Sequence, residues 1–202
     1  MTHIFSIKEV LKFGWHITRT HSALVFKVVL TLLALEVARS IVEKVLDGTA
    51  LGFVAAVVLY ALVTVLGIGA TLITLHLVQG KPTHYRDIIP PTKLLWPYIG
   101  SSILTGLAVL GGIILLVVPG IIVAIRLSMA RFEIIEGAGI KESLHKSWEL
   151  TRGHTWKLAL FFGALILLNI AGALALLVGL LLTIPVSMIA CADVYRKLKS
   201  KA

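Results

Sequence analysis

Glu36, Arg39 and Glu43 stand three and four residues apart in a run otherwise rich in leucine and valine, LTLLALEVARSIVEKVL. On a helix that spacing puts all three on one face. A second cation, Arg126, interrupts another apolar run, GIIVAIRLSMARF, and an amide, Asn169, interrupts a third, LALFFGALILLNIAGALALL. Ionised side chains in hydrocarbon cost about 2.5–3.5 kcal/mol each on insertion scales, so they mark candidate sites. Two chemistries fit these residues. One is a clamp in which Glu36 and Arg126 neutralise each other, with Arg39 and Glu43 extending the network outward. The other is an anion or proton site near the outer leaflet, joined by Asn169. Counting from Ser22 at 1.5 Å per residue puts Glu36 ~21 Å from the inner side, and counting down from a bend at Gly120 puts Arg126 at the same level of a ~30 Å core. The expectation is that the two meet.

Other chemistry finds no support. No nucleophile stands beside a base in a plausible setting, the seven histidines are scattered without metal-binding spacing, and no glycine loop of the phosphate-binding kind follows a strand. The expectation is a chain that is not an enzyme and holds no cofactor. Asn169 reads most simply as an interhelical hydrogen bond, Gly111, Gly112 and Gly172 as sites of close helix approach, and Asp193 as a local partner of Arg196 or Lys197. Pro185 is expected to kink its helix and Cys191 to pack inertly.

The elements that must position these residues follow from composition. Of the 202 residues 58% are hydrophobic and only 14% charged, against roughly 45–50% and 25% in soluble domains. Such a chain would expose large apolar patches to water, so lipid is the solvent it fits. The formal charge of +9 is dispersed in short clusters between apolar runs, which suits bilayer orientation better than a nucleic-acid surface. The N-terminus reads as amphipathic rather than as a signal peptide.

Three apolar runs are each long enough to span: Leu51–Val78, Leu94–Val118 and Trp156–Leu177. Return spans follow Pro119-Gly120 and the turn near Gly179. Ser22–Leu46 is a sixth, its outer half the most polar. With six spans, fifteen of the nineteen Lys and Arg residues fall on the side of the two termini, which the positive-inside rule assigns to the cytoplasm. The expected fold is an all-α polytopic membrane protein, six transmembrane helices forming three hairpins, each preceded by a cytoplasmic interfacial amphipathic helix.

The entry helices are written twice. IKEVLKFGWHITRTH from Ile7 and IKESLHKSWELTRGH from Ile140 share eight of fifteen residues at a shift of 133. Ile, Leu, Trp and Thr form a stripe along each copy, and Lys, Arg, Glu and His cover the rest. Trp15, Arg19, Trp148 and Arg152 are the candidate anchors in the headgroup plane. Ser6 and Glu9 are spaced for a capping box. PTHYRDIIPPTKLLW, with Tyr85, Ile88 and Ile89 on one side, reads as a degenerate third copy, and a shift of 60 aligns Trp96 with Trp156 and Gly112 with Gly172. The chain is then one membrane domain, 1–202, with parallel repeats at about 1–80, 81–138 and 139–202.

One region carries a family resemblance. Pro119-Gly120, Glu136-Gly137, Gly139, Ser147-Trp148, Thr151-Arg152-Gly153 and Trp156 resemble the signature of a bacterial membrane family. That family includes the membrane domain fused to glycerophosphoryl diester phosphodiesterases and stand-alone inner-membrane relatives. The clear match covers about 118–157. It implies a bacterial or archaeal cytoplasmic membrane and a non-catalytic module, and no phosphodiesterase residue has a matching position here. The functional expectation is a module that binds lipid, above all anionic headgroups on the cytoplasmic face, or a membrane-protein partner or second copy. The alternative is a small transporter or channel with its polar site between the first and fourth spans.

Overall fold

A computed structural model describes residues 5–175 and 179–201, all helices and turns with no strand among them. In chain order the helices are α1 (Ile7–Thr20), α2 (Ser22–Val45), α3 (Ala50–Val78), α4 (Leu95–Leu115), α5 (Val117–Leu127), α6 (Ala130–Ile135), α7 (Ile140–Leu150), α8 (Thr155–Leu174) and α9 (Leu180–Lys199). The last two residues of the expected span 156–177, and the turn leading to Gly179, lie outside the described residues.

Three helical stretches are long and apolar enough to cross a membrane: Ala50–Val78, Tyr85–Leu115 and Thr155–Leu174. Six were expected, and the shortfall has a local reason in each case. α2 carries Lys27, Glu36, Arg39, Glu43 and Lys44. The run after Pro119 is broken, with α5 only 11 residues long, about 16 Å at 1.5 Å per residue. α9 ends in Asp193, Arg196, Lys197 and Lys199.

Consecutive helices pack in pairs, α2 on α3, α4 on α5 and α8 on α9, and α9 also touches α1, α2 and α3. Burial is concentrated at one end of these helices. α3 buries Ile68–Leu75, Leu77 and Val78 but exposes Leu51, Phe53, Val54, Val57 and Val58. α9 buries most positions from Val186 to Leu198. The far halves of α4 and α8 expose Leu107, Leu110, Ile114, Ile166, Leu167 and Leu174. An apolar surface on that scale belongs in lipid rather than water.

The entries differ from one another. α1 and α7 are helices, as expected of the repeat. The middle entry is two short 3-10 turns, Tyr85–Ile88 and Thr92–Leu94. Pro90 and Pro91 between them supply no N–H and force extended backbone before them, so no helix can run through. At the start of α1 the Ser6 side chain makes no cap; in α7 the matching device is half present, Glu142 accepting from the Gly139 N–H at 3.2 Å. Gly137 and Gly153 both lie at positive φ, 100° and 79°, which explains why the turns flanking α7 are written with glycine.

Candidate functional site

The chain breaks its helix at Ser128-Met129, between α5 and α6, and a break inside an apolar segment leaves backbone polar groups that something must satisfy. α7 does so. Its buried stripe is Ser143, Ser147 and Thr151, at i, i+4 and i+8. The Ser147 hydroxyl donates to the Arg126 carbonyl at 2.7 Å and accepts from the Met129 N–H at 3.2 Å. Thr151 donates to the Ser147 carbonyl at 2.8 Å. Ser143 Oγ lies 3.2 Å from Ser101 Oγ of α4. Ser147→Ala removes one partner and orphans a buried N–H. The expected cost is about 1–2 kcal/mol, measured by unfolding in detergent micelles, with a variant of the exposed Lys141 as the unaffected control.

Arg126 sits beside this seam. Its guanidinium lies 4.3 Å from the centre of the Trp148 ring and its Nε donates to Thr155 Oγ1 at 3.4 Å. It makes no ion pair with Glu36 among the described residues. Arg39 instead bonds both Glu36 and Glu43 within α2. The depth count that brought Glu36 and Arg126 together is therefore corrected. It assumed a full-length return span, whereas α5 ends within a residue of Arg126, at the level of α7 and the first turn of α8. Asn169 stands apart from both, donating to the Leu165 carbonyl at 2.8 Å and to Ser187 Oγ at 2.9 Å, a tie between α8 and α9. The five expected members of one network occupy three separate places.

The four anchor candidates lie at the protein surface. Trp15 and Trp148 are 49% and 38% exposed, and Arg19 and Arg152 are exposed. The buried face lies next to the expected stripe rather than along it. α1 buries Val10, Gly14 and Thr18, which are the shift-133 equivalents of Ser143, Ser147 and Thr151. Each tryptophan thus stands at the edge between the protein-facing side and the basic side. Where α7 has Ser147, α1 has Gly14, and a Cβ there would lie 2.8 Å from the Val186 carbonyl oxygen of α9. The two copies bury the same positions but serve different partners, α9 for one and α4–α6 for the other.

A further cluster escaped the sequence reading. Glu133 is 3% exposed and Tyr195 1%. The Tyr195 hydroxyl lies 2.9 Å from Glu133 Oε1 and 3.0 Å from Glu136 Oε2. Lys199 bonds Glu136 and stands 3.4 Å from both Glu133 oxygens. Gln79 donates to Glu136 at 2.8 Å, so the cluster joins α3, α6 and α9. Burial alone would raise the Glu136 carboxyl, but bonds from Lys199, Tyr195 and Gln79 outweigh it and hold it below the usual carboxylate range. Next to it, the buried Asp193 accepts from Arg196 at 2.6 Å, as its i+3 spacing foretold. Lys197 Nζ lies 2.8 Å from the other oxygen, a charge contact outside hydrogen-bonding geometry. Arg196 also donates to the Val78 carbonyl at 2.9 Å, closing the end of α3. The overlooked signal was Glu133 itself, an ionisable residue inside RFEII.

Among the described residues no three His, Cys, Asp or Glu side chains lie close enough together to hold a metal ion. The clusters around Ser147 and Glu133 are joints between helices. No family model, curated protein or solved structure matches this chain significantly.

Proposed function

We propose that the chain is a non-catalytic membrane module that gathers anionic phospholipid headgroups at the cytoplasmic face of a bacterial or archaeal membrane. The observation that carries this reading is the equivalent docking of α1 and α7. Each helix buries one stripe and leaves a tryptophan at the edge and Lys8, Lys12 and Arg19, or Lys141 and Arg152, exposed. Amphipathic helices with that division lie in the headgroup plane, and each basic residue held there favours an anionic surface by about 1 kcal/mol.

In this reading the chain crosses six times as three hairpins with both ends cytoplasmic. α2, the α5–α6 pair and α9 cross in the company of the three more apolar helices; Glu36, Arg39 and Glu43 are ion-paired, and Arg126 and Arg131 rest against the Trp148 and Phe132 rings at the break. The repeats at about 1–80, 81–138 and 139–202 follow from the same layout, and the motif resemblance in 118–157 points the same way. A transporter uses broken helices to present backbone to a substrate. Here the break at Ser128-Met129 is occupied by Ser147, which favours the module.

The test is retention of phosphatidylglycerol against phosphatidylcholine by the full chain in mixed nanodiscs. The parent chain is expected to enrich the anionic lipid. Replacing Arg19 and Arg152 together by glutamine is expected to lower the selectivity roughly tenfold or more, from about 1 kcal/mol per charge. A parent chain with no preference overturns the proposal, and so do chain ends that label from opposite compartments.

A further inference from the structure

One groove in the apolar zone is polar on both walls. It holds about 370 Å³ between α4 and the α5–α6 break. From α4 come Tyr98, Ser102 and Thr105, at i, i+4 and i+7 and so on one face. From α6 comes Arg131. Among the described residues the exposed Arg131 has no carboxylate partner, and the three hydroxyls make no hydrogen bond to the protein. The Arg131 guanidinium lies 5.0 Å from the centre of the Phe132 ring and beside the buried Cys191 thiol, and neither contact supplies a counter-charge.

We propose that this groove seats the phosphodiester of an anionic phospholipid from the cytoplasmic leaflet. The inference rests on the membrane-module reading and gives it a defined site. Arginine offers a planar fork of donors matched to phosphate oxygens, with charge-assisted bonds stronger than neutral ones. The hydroxyls descend α4 from its start at Leu95, Thr105 lying ~15 Å along at 1.5 Å per residue. Tyr98, ~5 Å along, is nearest the level of the phosphate and ester oxygens, Ser102 follows ~11 Å along, and Thr105, at the middle of a ~30 Å core, is the deepest donor of the row. No carboxylate lines the groove, so an ammonium headgroup finds no partner, and a monoanionic lipid is selected over a zwitterionic one.

The experiment counts tightly retained phosphatidylglycerol on the full chain released from mixed nanodiscs, with melting temperature in pure phosphatidylcholine as the check on folding. Arg131→Gln is expected to lower the saturable component roughly tenfold, the weight of one charge-assisted contact. Thr105→Val, which keeps the shape and removes a donor, is expected to lower it by a smaller factor without altering the melt. The Arg19→Gln, Arg152→Gln double variant is expected to keep the saturable component and lose only salt-sensitive enrichment. If Arg131→Gln and Thr105→Val both retain the lipid as the parent does while the double variant loses it, this site is wrong and the surface reading stands. If the parent retains none, both fail. Displacement of the lipid by millimolar inorganic phosphate would assign the groove to a free phosphate and overturn the lipid.

Discussion

Gly69→Ala is expected to unseat the turn Tyr85–Ile88 from α3. A Cβ at position 69 would stand 1.8 Å from the Ile88 carbonyl oxygen, 2.3 Å from its carbon and 2.7 Å from its Cα. All three are backbone atoms, so no rotamer change relieves the contact. Overpacking costs about 1–3 kcal/mol and more where main chain must move, and alanine's better helix propensity returns only about 1 kcal/mol. A net loss of about 3 kcal/mol is expected, because the carbonyl cannot retreat without breaking the contact between Thr31 Oγ1 and Tyr85 OH, now 2.7 Å. Gly67 is the control. It lies two residues earlier on the same helix with nothing within 4 Å of its would-be Cβ, so Gly67→Ala should be neutral or slightly stabilising. Unfolding in micelles reads both, and equal stability of the two variants would mean that the turn does not sit on α3 as described.

The same region shows what a sequence can and cannot convey. Contacts made within one helix were legible, because spacing alone places the partners: Asp193 with Arg196 and Lys197, and the three charges of α2 on one face. The helical character of the segments from Ile7 and Ile140 was legible too, since amphipathic helices must carry their pattern in composition. Which edge of the pattern is buried was not, because Val10 and Gly14 look no more buried than Ile7 or Trp15 until a partner helix is known. The break after Leu127 has no proline or glycine to announce it. Its stabiliser, Ser147, lies 18 to 21 residues away, so the depth assigned to Arg126 rested on an uninterrupted helix that does not exist. The turn at Tyr85–Ile88 was read as a worn copy of a helix, although the two prolines and the glycine waiting at position 69 already specify something shorter.

Glu133→Ala is expected to cost about 3 kcal/mol, the lower end for breaking a buried ion pair. The lower end applies because Lys199 is 43% exposed and keeps Glu136 after the change. Tyr195→Phe is expected to cost about 2 kcal/mol, one buried hydrogen bond to a charged group, while the ring keeps its stack on Phe132 at 5.0 Å. The residues share oxygens and one cation, so the double variant should lose less than the sum. Acid supplies an independent reading. Glu136 is held below the ordinary carboxyl value of 4.5 by Lys199, Tyr195 and Gln79 against the opposing effect of burial. A lowered carboxyl binds fewer protons folded than unfolded, so its contribution is fully present above 4.5 and fades as pH falls below 4.5 towards the folded value. Melting in micelles across that range should show the loss, and Glu136→Gln should flatten it. If Tyr195→Phe proves as costly as Glu133→Ala and also flattens the acid limb, then the hydroxyl rather than the lysine organises the carboxylates. In that case Lys199 is a solvated neighbour, and the joint between α3, α6 and α9 is held by a neutral donor.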